Sequence, residues 1–219
     1  KSTNFGLGIT ILKHNYDETD FKAALQIAFE HDNTVLIEKF IPGREFRIFI
    51  INDEVVGILH RVPANVTGDG VLNIGQLIDR KNEDPLRGKG YRTPLEKIRK
   101  GREEEMFLKQ QGMDFNTVPK EREVVYLREN SNISTGGDSI DFTDDIDDSY
   151  KAIAVEAAKA LNVKITGLDM MIQDIHAPAT PDNYAIIEMN FNPAIHIHCY
   201  PFKGKNRHLN HKMIKALGF

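Results

Sequence analysis

Apolar residues recur along the chain with two distinct periods. Phe21, Leu25, Ala28 and Phe29 fall at i, i+4, i+7 and i+8 within DETDFKAALQIAFEHDN, one stripe of an amphipathic helix. Acidic residues at its start suit the helix dipole. A second helix is predicted over DDSYKAIAVEAAKAL, where Ile153, Ala157 and Leu161 repeat at spacing four. Strand patterns are shorter: ITIL, then TVLIEKFI up to the breaker PG, EVVYL, KITGLDMMIQDI and NYAIIEMNF. Residues 44–62 predict a hairpin. A three-residue loop, Asn52–Asp53–Glu54, sets Ile51 against Val55 and brings Glu45 opposite Arg61, with Arg47 on the same face. A two-residue loop would turn Arg61 to the other side.

Between these elements the pattern weakens. PANVTGDG reads as a turn-rich loop, and residues 76–122 as a highly charged stretch with two or three short helices and a flexible link, DPLRGKGYRT. RENSNISTGGDS reads as a polar loop. There is no internal repeat.

The last two strands frame an unusual polar group. They flank the linker HAPATPD, centred near residue 179. Asp169 precedes that centre by 10 residues, and Glu188 and Asn190 follow it by 9 and 11. Paired as a hairpin, the strands bring the three side chains together at one end. The apolar positions Ala185, Ile187 and Met189 then face the core, with Ile186 inward on the other face.

Composition narrows the class. With 219 residues, 41% hydrophobic and 27% charged, the chain resembles an ordinary globular protein. A net charge of −4 gives no global attraction to nucleic acid or acidic membranes. No apolar run approaches the roughly 18 residues of a membrane span. The single cysteine, Cys199, excludes an internal disulfide and a multi-cysteine zinc site, and fits a reducing, cytoplasmic setting. The opening KSTNFGLGI has no initiator methionine and reads as the middle of a longer polypeptide.

Four groups carry candidate chemistry. Asp169, Glu188 and Asn190 are hard oxygen ligands suited to Mg²⁺ or Mn²⁺, which implies a phosphate-bearing partner. STNFGLG offers backbone N–H groups to phosphates, although it lacks the GK[ST] of a Walker loop. EKFIPGREFR forms a strand corner whose backbone can pair with an adenine edge and whose carboxylate can accept from ribose hydroxyls. Arg47, Arg61 and Arg128 lie in or at the end of apolar strands and need anionic partners. Each group has a plainer reading when taken alone: solvated strand ends, a simple turn, a solvent-facing corner and surface salt bridges. His196 and His198, spaced i, i+2 on an extended segment, suggest zinc, but no third ligand follows. Cys199 reads as a packed residue.

The order of these elements resembles the ATP-grasp superfamily of carboxylate–amine ligases. The segments RVPANVTGDG, LRENSNISTGGDSIDFTDD and YPFKGKNR look like the C-terminal glutathione synthetase part of bacterial bifunctional glutamate–cysteine ligase/glutathione synthetases, with cyanophycin synthetase a near second, rather than D-alanine–D-alanine ligase. The resemblance implies an α+β ATP-grasp fold, a mainly antiparallel sheet with flanking helices. Residues 1–37 would be part of the lid subdomain and 38–219 the C-terminal subdomain, with a helical insertion at about 76–122. It implies ATP and two Mg²⁺ (or Mn²⁺) ions as cofactors. By position, Gly6 and Gly8 would cover the triphosphate, Glu38, Lys39 and Ile41 would meet the adenine, and Glu45 the ribose. Asp169, Glu188 and Asn190 would ligate the metals, and Arg61 and Arg128 would hold the acyl-phosphate or its donor carboxylate.

The implied reaction joins γ-glutamylcysteine to glycine through an acyl-phosphate, with an N-terminal glutamate–cysteine ligase domain as partner in the same polypeptide and neither nucleic acid nor membrane involved. Two departures stand out. Ala194 replaces a frequent glycine, and the family's lysine on the strand before the glycine loop is expected upstream of Lys1, so this piece alone is expected to be impaired. A cyanophycin-type ligase and a non-catalytic nucleotide-binding module are the alternatives.

Overall fold

In the computed structural model, which describes Thr10, Leu12 and residues 16–219, the chain divides into two units, residues 1–42 and 43–219. The first contains helix α1 (Glu18–Phe29), which buries Ala28. Its N-cap Asp17 accepts from the N–H groups of Thr19 (2.7 Å) and Asp20 (2.9 Å), and Asp20 answers by accepting from the N–H of Asp17. This reciprocal capping box satisfies N–H groups that a helix start leaves without partners. The strand expected over TVLIEKFI is not formed: residues 36–42 have no regular secondary structure, and Leu36 and Ile37 are exposed. The ITIL strand lies largely outside the described residues.

In the second unit the elements are β1 (Arg44–Ile51), β2 (Glu54–Val62), β3 (Asn65–Thr67), α2 (Ile74–Lys81), β4 (Arg87–Gly88) and β5 (Leu95–Glu96). They continue with α3 (Arg102–Gln110), β6 (Val124–Tyr126), a 3-10 turn (Ile133–Thr135), β7 (Asp138–Asp141) and α4 (Asp148–Ala160). The chain ends with β8 (Ile165–Ile172), β9 (Tyr184–Asn190), α5 (His196–Cys199) and α6 (Leu209–Ala216). Five strands form one antiparallel sheet in the order β7-β2-β1-β8-β9. The α+β architecture expected from the sequence is the one observed.

Strand alternation sorts the sheet's two faces. Phe46, Ile48 and Ile50 of β1, with Leu168, Met170 and Ile172 of β8, pack against Tyr150, Ala154 and Ala158 of α4. The alternate positions Phe49 and Ile51 pack with Val56, Cys199 and Leu209 under α5 and α6. Arg47 shares this second face, as does Asp169, its register partner on β8. A separate core unites Ala64, Val66, Ile74, Ile78, Leu108 and Leu127. The loop expected at PANVTGDG therefore contains β3, and β3 pairs with β6.

Two hairpins reach their register through β-bulges. Asn52 and Asp53 both have positive φ (47° and 64°) and form a two-residue loop, with Ile51 opposite Glu54, not the three-residue loop expected. A bulge then shifts the pairing from Ile50↔Val55 to Phe49↔Gly57 and onward to Phe46↔His60. The extra residue, Val56, restores the frame that the longer loop would have set. In β8–β9, Asp169 pairs with Glu188 but Met170 pairs with Ile186. Ile187 is the bulged residue, which turns it out to 43% exposure instead of into the core.

Candidate active site

Arg47 is held where β1 and β8 are in register, and its guanidinium lies along the carboxylate of Asp169. Nε donates to Oδ1, and Nη2 to Oδ2 at 2.8 Å. Arg61, from β2, donates through Nη2 to Oδ2 of Asp169 at 2.9 Å and forms an ion pair with Glu45, as the expected Glu45–Arg61 pairing requires. Ser131 donates its hydroxyl to the other oxygen of Glu45. Gly167 makes room for this arrangement: a Cβ there would sit 2.8 Å from Pro193 Cβ and 3.0 Å from Arg47 Cδ.

Asp169 is 2% exposed and Arg47 7%, so the network is largely shut off from water. Burial alone would raise the Asp169 carboxyl. The hydrogen bond from Arg47 and the charges of Arg61 and Arg47 outweigh it and hold the group below its ordinary value. Three guanidinium hydrogen bonds occupy three of its roughly four acceptor positions, leaving one on Oδ1.

Glu188 faces Asp169 across the ladder, so both side chains lie on one face. Asn190 donates through Nδ2 to Glu188 Oε1 at 3.0 Å and keeps its Oδ1 as an acceptor. Among the described residues no three His, Cys, Asp or Glu side chains already form a metal cluster. The donors are nevertheless all oxygens: the exposed Glu188 carboxylate, the Asn190 amide and the remaining Oδ1 position of Asp169. That set fits a hard divalent cation that keeps water and phosphate ligands.

The other sequence candidates are dispersed. Arg128 donates from Nε to Glu104 at 2.6 Å and pairs with Glu103. Glu104 also caps α3 by accepting from the Gly101 N–H at 2.9 Å. Arg128 is thus engaged at the start of α3 and, among the described residues, makes no contact with Asp169. Glu38 and Lys39 are exposed and Ile41 half-buried in the first unit. Gly6 and Gly8 lie outside the described residues. The segment YPFKGKNR is anchored by Arg207, which binds Asp141 through Nε (2.9 Å) and Asp144 through Nη1 (2.9 Å).

A cleft of about 170 Å³ opens beside Arg47 and Arg61, with Tyr91, Glu96, Asn132, Ser134, Ala194 and His196 among its lining residues. Tyr91 and Glu96 carry no sequence signal for this position, because the stretch around them is neither periodic nor motif-bearing. His196 has a signal that suggested the wrong partner. His196 and His198 sit on a helical turn, not an extended segment, and they diverge: His198 is fully buried and His196 lines the cleft.

One end of the antiparallel sheet thus carries paired arginines, a buried aspartate and an adjoining Glu–Asn pair. A family model described as the D-ala D-ala ligase C-terminus matches residues 1–73. In particular, the chain is similar to a bifunctional glutathione synthetase from Pasteurella multocida, whose crystal structure superposes with a TM-score of 0.78 at 47% identity, over 99% of this chain and 30% of that one. It is 64% identical over 219 residues to the glutathione biosynthesis bifunctional protein of Desulfotalea psychrophila, and 58% identical over 217 residues to that of Clostridium perfringens. These matches cover 100% and 99% of this chain but 28% of each relative's length. No helix among the described residues is long and apolar enough to cross a membrane.

Proposed function

We propose that the chain carries the ATP-dependent ligase activity of a bifunctional glutathione-forming polypeptide. ATP would activate the carboxylate of γ-glutamylcysteine as an acyl-phosphate, and the amine of glycine would displace the phosphate to give glutathione. The observation that carries this reading is the 64% identity along all 219 residues to a protein named for glutathione biosynthesis. No relative reported above supports the cyanophycin-type alternative. The reading makes residues 1–37 part of the lid subdomain and 38–219 the C-terminal subdomain, with an insertion at about 76–122. It also adds an N-terminal glutamate–cysteine ligase domain in the same polypeptide and a cytoplasmic setting.

Residue roles follow from the site geometry and the resemblance. Arg47 and Arg61 supply two fixed cations at one cleft, suited to an anionic carboxylate or acyl-phosphate. For Arg128 to share that role, its guanidinium has to leave Glu103 and Glu104. Glu188, Asn190 and the Oδ1 of Asp169 would hold two Mg²⁺ (or Mn²⁺) ions, which neutralise phosphate charge when bound. Gly6 and Gly8 would cover the triphosphate, Glu38, Lys39 and Ile41 would serve adenine, and Glu45 ribose, after exchanging its bond from Ser131. The test is ATP turnover by the intact polypeptide. Phosphate release that requires both γ-glutamylcysteine and glycine is the expected result. Release only with aspartyl primers and arginine would reject it.

A further inference from the structure

Five ionisable side chains line the cleft beside Asp169: Arg47, Arg61, Tyr91, Glu96 and His196. The arginines are permanent cations and a phenol is a proton donor at neutral pH, which leaves a carboxylate and an imidazole as candidate proton acceptors. Glu96 is already occupied. Its carboxylate accepts from the N–H of Gly90 at 3.2 Å and of Tyr91 at 2.5 Å, holding a loop in which both residues have positive φ (69° and 58°). His196 has no hydrogen bond to its ring among the described residues, and it is only half-buried.

Its position is set by α5. The turn buries Ile197, His198 and Cys199, and the Tyr200 N–H closes it on the His196 carbonyl at 2.8 Å. With its three successors packed inward, the first residue of the turn is left at the cleft wall. The HIH pair is therefore not a chelate but two histidines in different environments. Burial lowers the pKa of His196, and the cations of Arg47 and Arg61 share its cleft. The imidazole is accordingly neutral, with a free ring nitrogen, near pH 7.

We infer that His196 is the proton acceptor for the attacking amine in the bond-forming step, an inference that rests on the ligase reading above. The amine arrives as an ammonium ion without a lone pair. His196 takes one proton and frees the lone pair, which forms the C–N bond at the acyl carbon. The bond from that carbon to the phosphate oxygen breaks, and its electron pair leaves with the phosphate. The second N–H proton departs with the phosphate, and the imidazolium returns its own to solvent.

The experiment uses the intact polypeptide with His196→Gln and His196→Asn, and compares glycine with hydroxylamine as acceptor. Hydroxylamine is largely unprotonated at neutral pH and needs no base. The expected result is a loss of about 100-fold in kcat with glycine, within the usual range for general-base removal, against a loss below about tenfold in hydroxamate formation. The variants' glycine reaction should also keep rising with pH where the unsubstituted enzyme levels off. An equal loss with both acceptors, at an unchanged unfolding temperature, or no loss with glycine, would overturn the assignment. Absence of ATP-dependent hydroxamate from the unsubstituted polypeptide would instead reject the ligase reading, and this proposal with it.

Discussion

His198 shows how far a residue's environment can depart from what its sequence neighbours suggest. It is fully buried, with neither ring nitrogen partnered. It packs edge-on to Phe49, with ring centroids 5.4 Å apart. Gly57 in β2 makes room for it, since a Cβ there would approach Nδ1 to 2.8 Å, a common reason for glycine inside a strand. Burial, then the charge of Arg47, pushes its pKa down from 6.5 to about 3. The folded state therefore keeps His198 neutral while the unfolded chain protonates it below pH 6.5. Stability is undiminished by this group above pH 6.5, falls as pH drops below it, and stops falling below about 3. At pH 5 the penalty is about 2 kcal/mol. His60, lowered to about 4 by burial and by Arg44, acts in the same direction. Chemical denaturation at pH 7.5 and pH 5 should show this loss, and His198→Leu should shrink the difference. An undiminished pH dependence in the variant would place the acid sensitivity elsewhere. The HIH spacing was legible; its meaning was not, because three residues cannot distinguish an extended segment from a single helical turn.

At the scale of elements, the sequence set Glu45 opposite Arg61 and brought Asp169, Glu188 and Asn190 to one end of a hairpin, yet it missed the bulges through which the strands reach their register. Periodicity counts residues along one strand, whereas a bulge is a mismatch between two strands. A three-residue loop, and a two-residue loop followed by a bulge at Val56, give the same face to Arg61, so alternation alone could not separate them. The observed turn places two non-glycine residues at positive φ, a conformation that favours glycine at the second position. Asp53→Gly should therefore stabilise the hairpin by about 0.5–1 kcal/mol, part of the left-handed penalty being offset by glycine's greater chain entropy. A higher denaturation midpoint at unchanged slope is the expected signature. A lower midpoint would mean that the Asp53 side chain contributes more than its backbone conformation costs.

Across the whole second unit, the main sheet and the smaller core around α2, β3 and β6 are joined by ions as well as by apolar contact. Asp138, on β7, is 4% exposed. It accepts from Lys81 Nζ of α2 at 2.7 Å and from Asn65 Nδ2 of β3 at 3.0 Å, and it pairs with Arg87 of β4. The rings and carbonyls around it complete the joint: Arg87 donates to the Gly136 carbonyl at 3.0 Å and lies 5.5 Å from the Phe202 ring centroid. This explains why no strand is predicted over DSID, whose first two residues close the polar loop RENSNISTGGDS. Its buried strand is specified by charge pairing, which leaves no apolar alternation to find. Burial lowers the pKa of Lys81, and Asp138 only partly restores it. Asp138→Asn removes the carboxylate that contacts the buried Arg87 and the half-buried Lys81, so the unit should lose about 3–5 kcal/mol, the cost of breaking a buried ion pair from one side. Hydrogen exchange should show α2, β3 and β6 losing protection before β1 and β8. Replacing Asp138, Lys81 and Arg87 together by apolar residues of similar volume should recover most of the loss, because no unpaired charge remains. A loss below about 1 kcal/mol in Asp138→Asn, the size of an exposed pair, would show that water already reaches the cluster and that the joint is held by the apolar contacts alone.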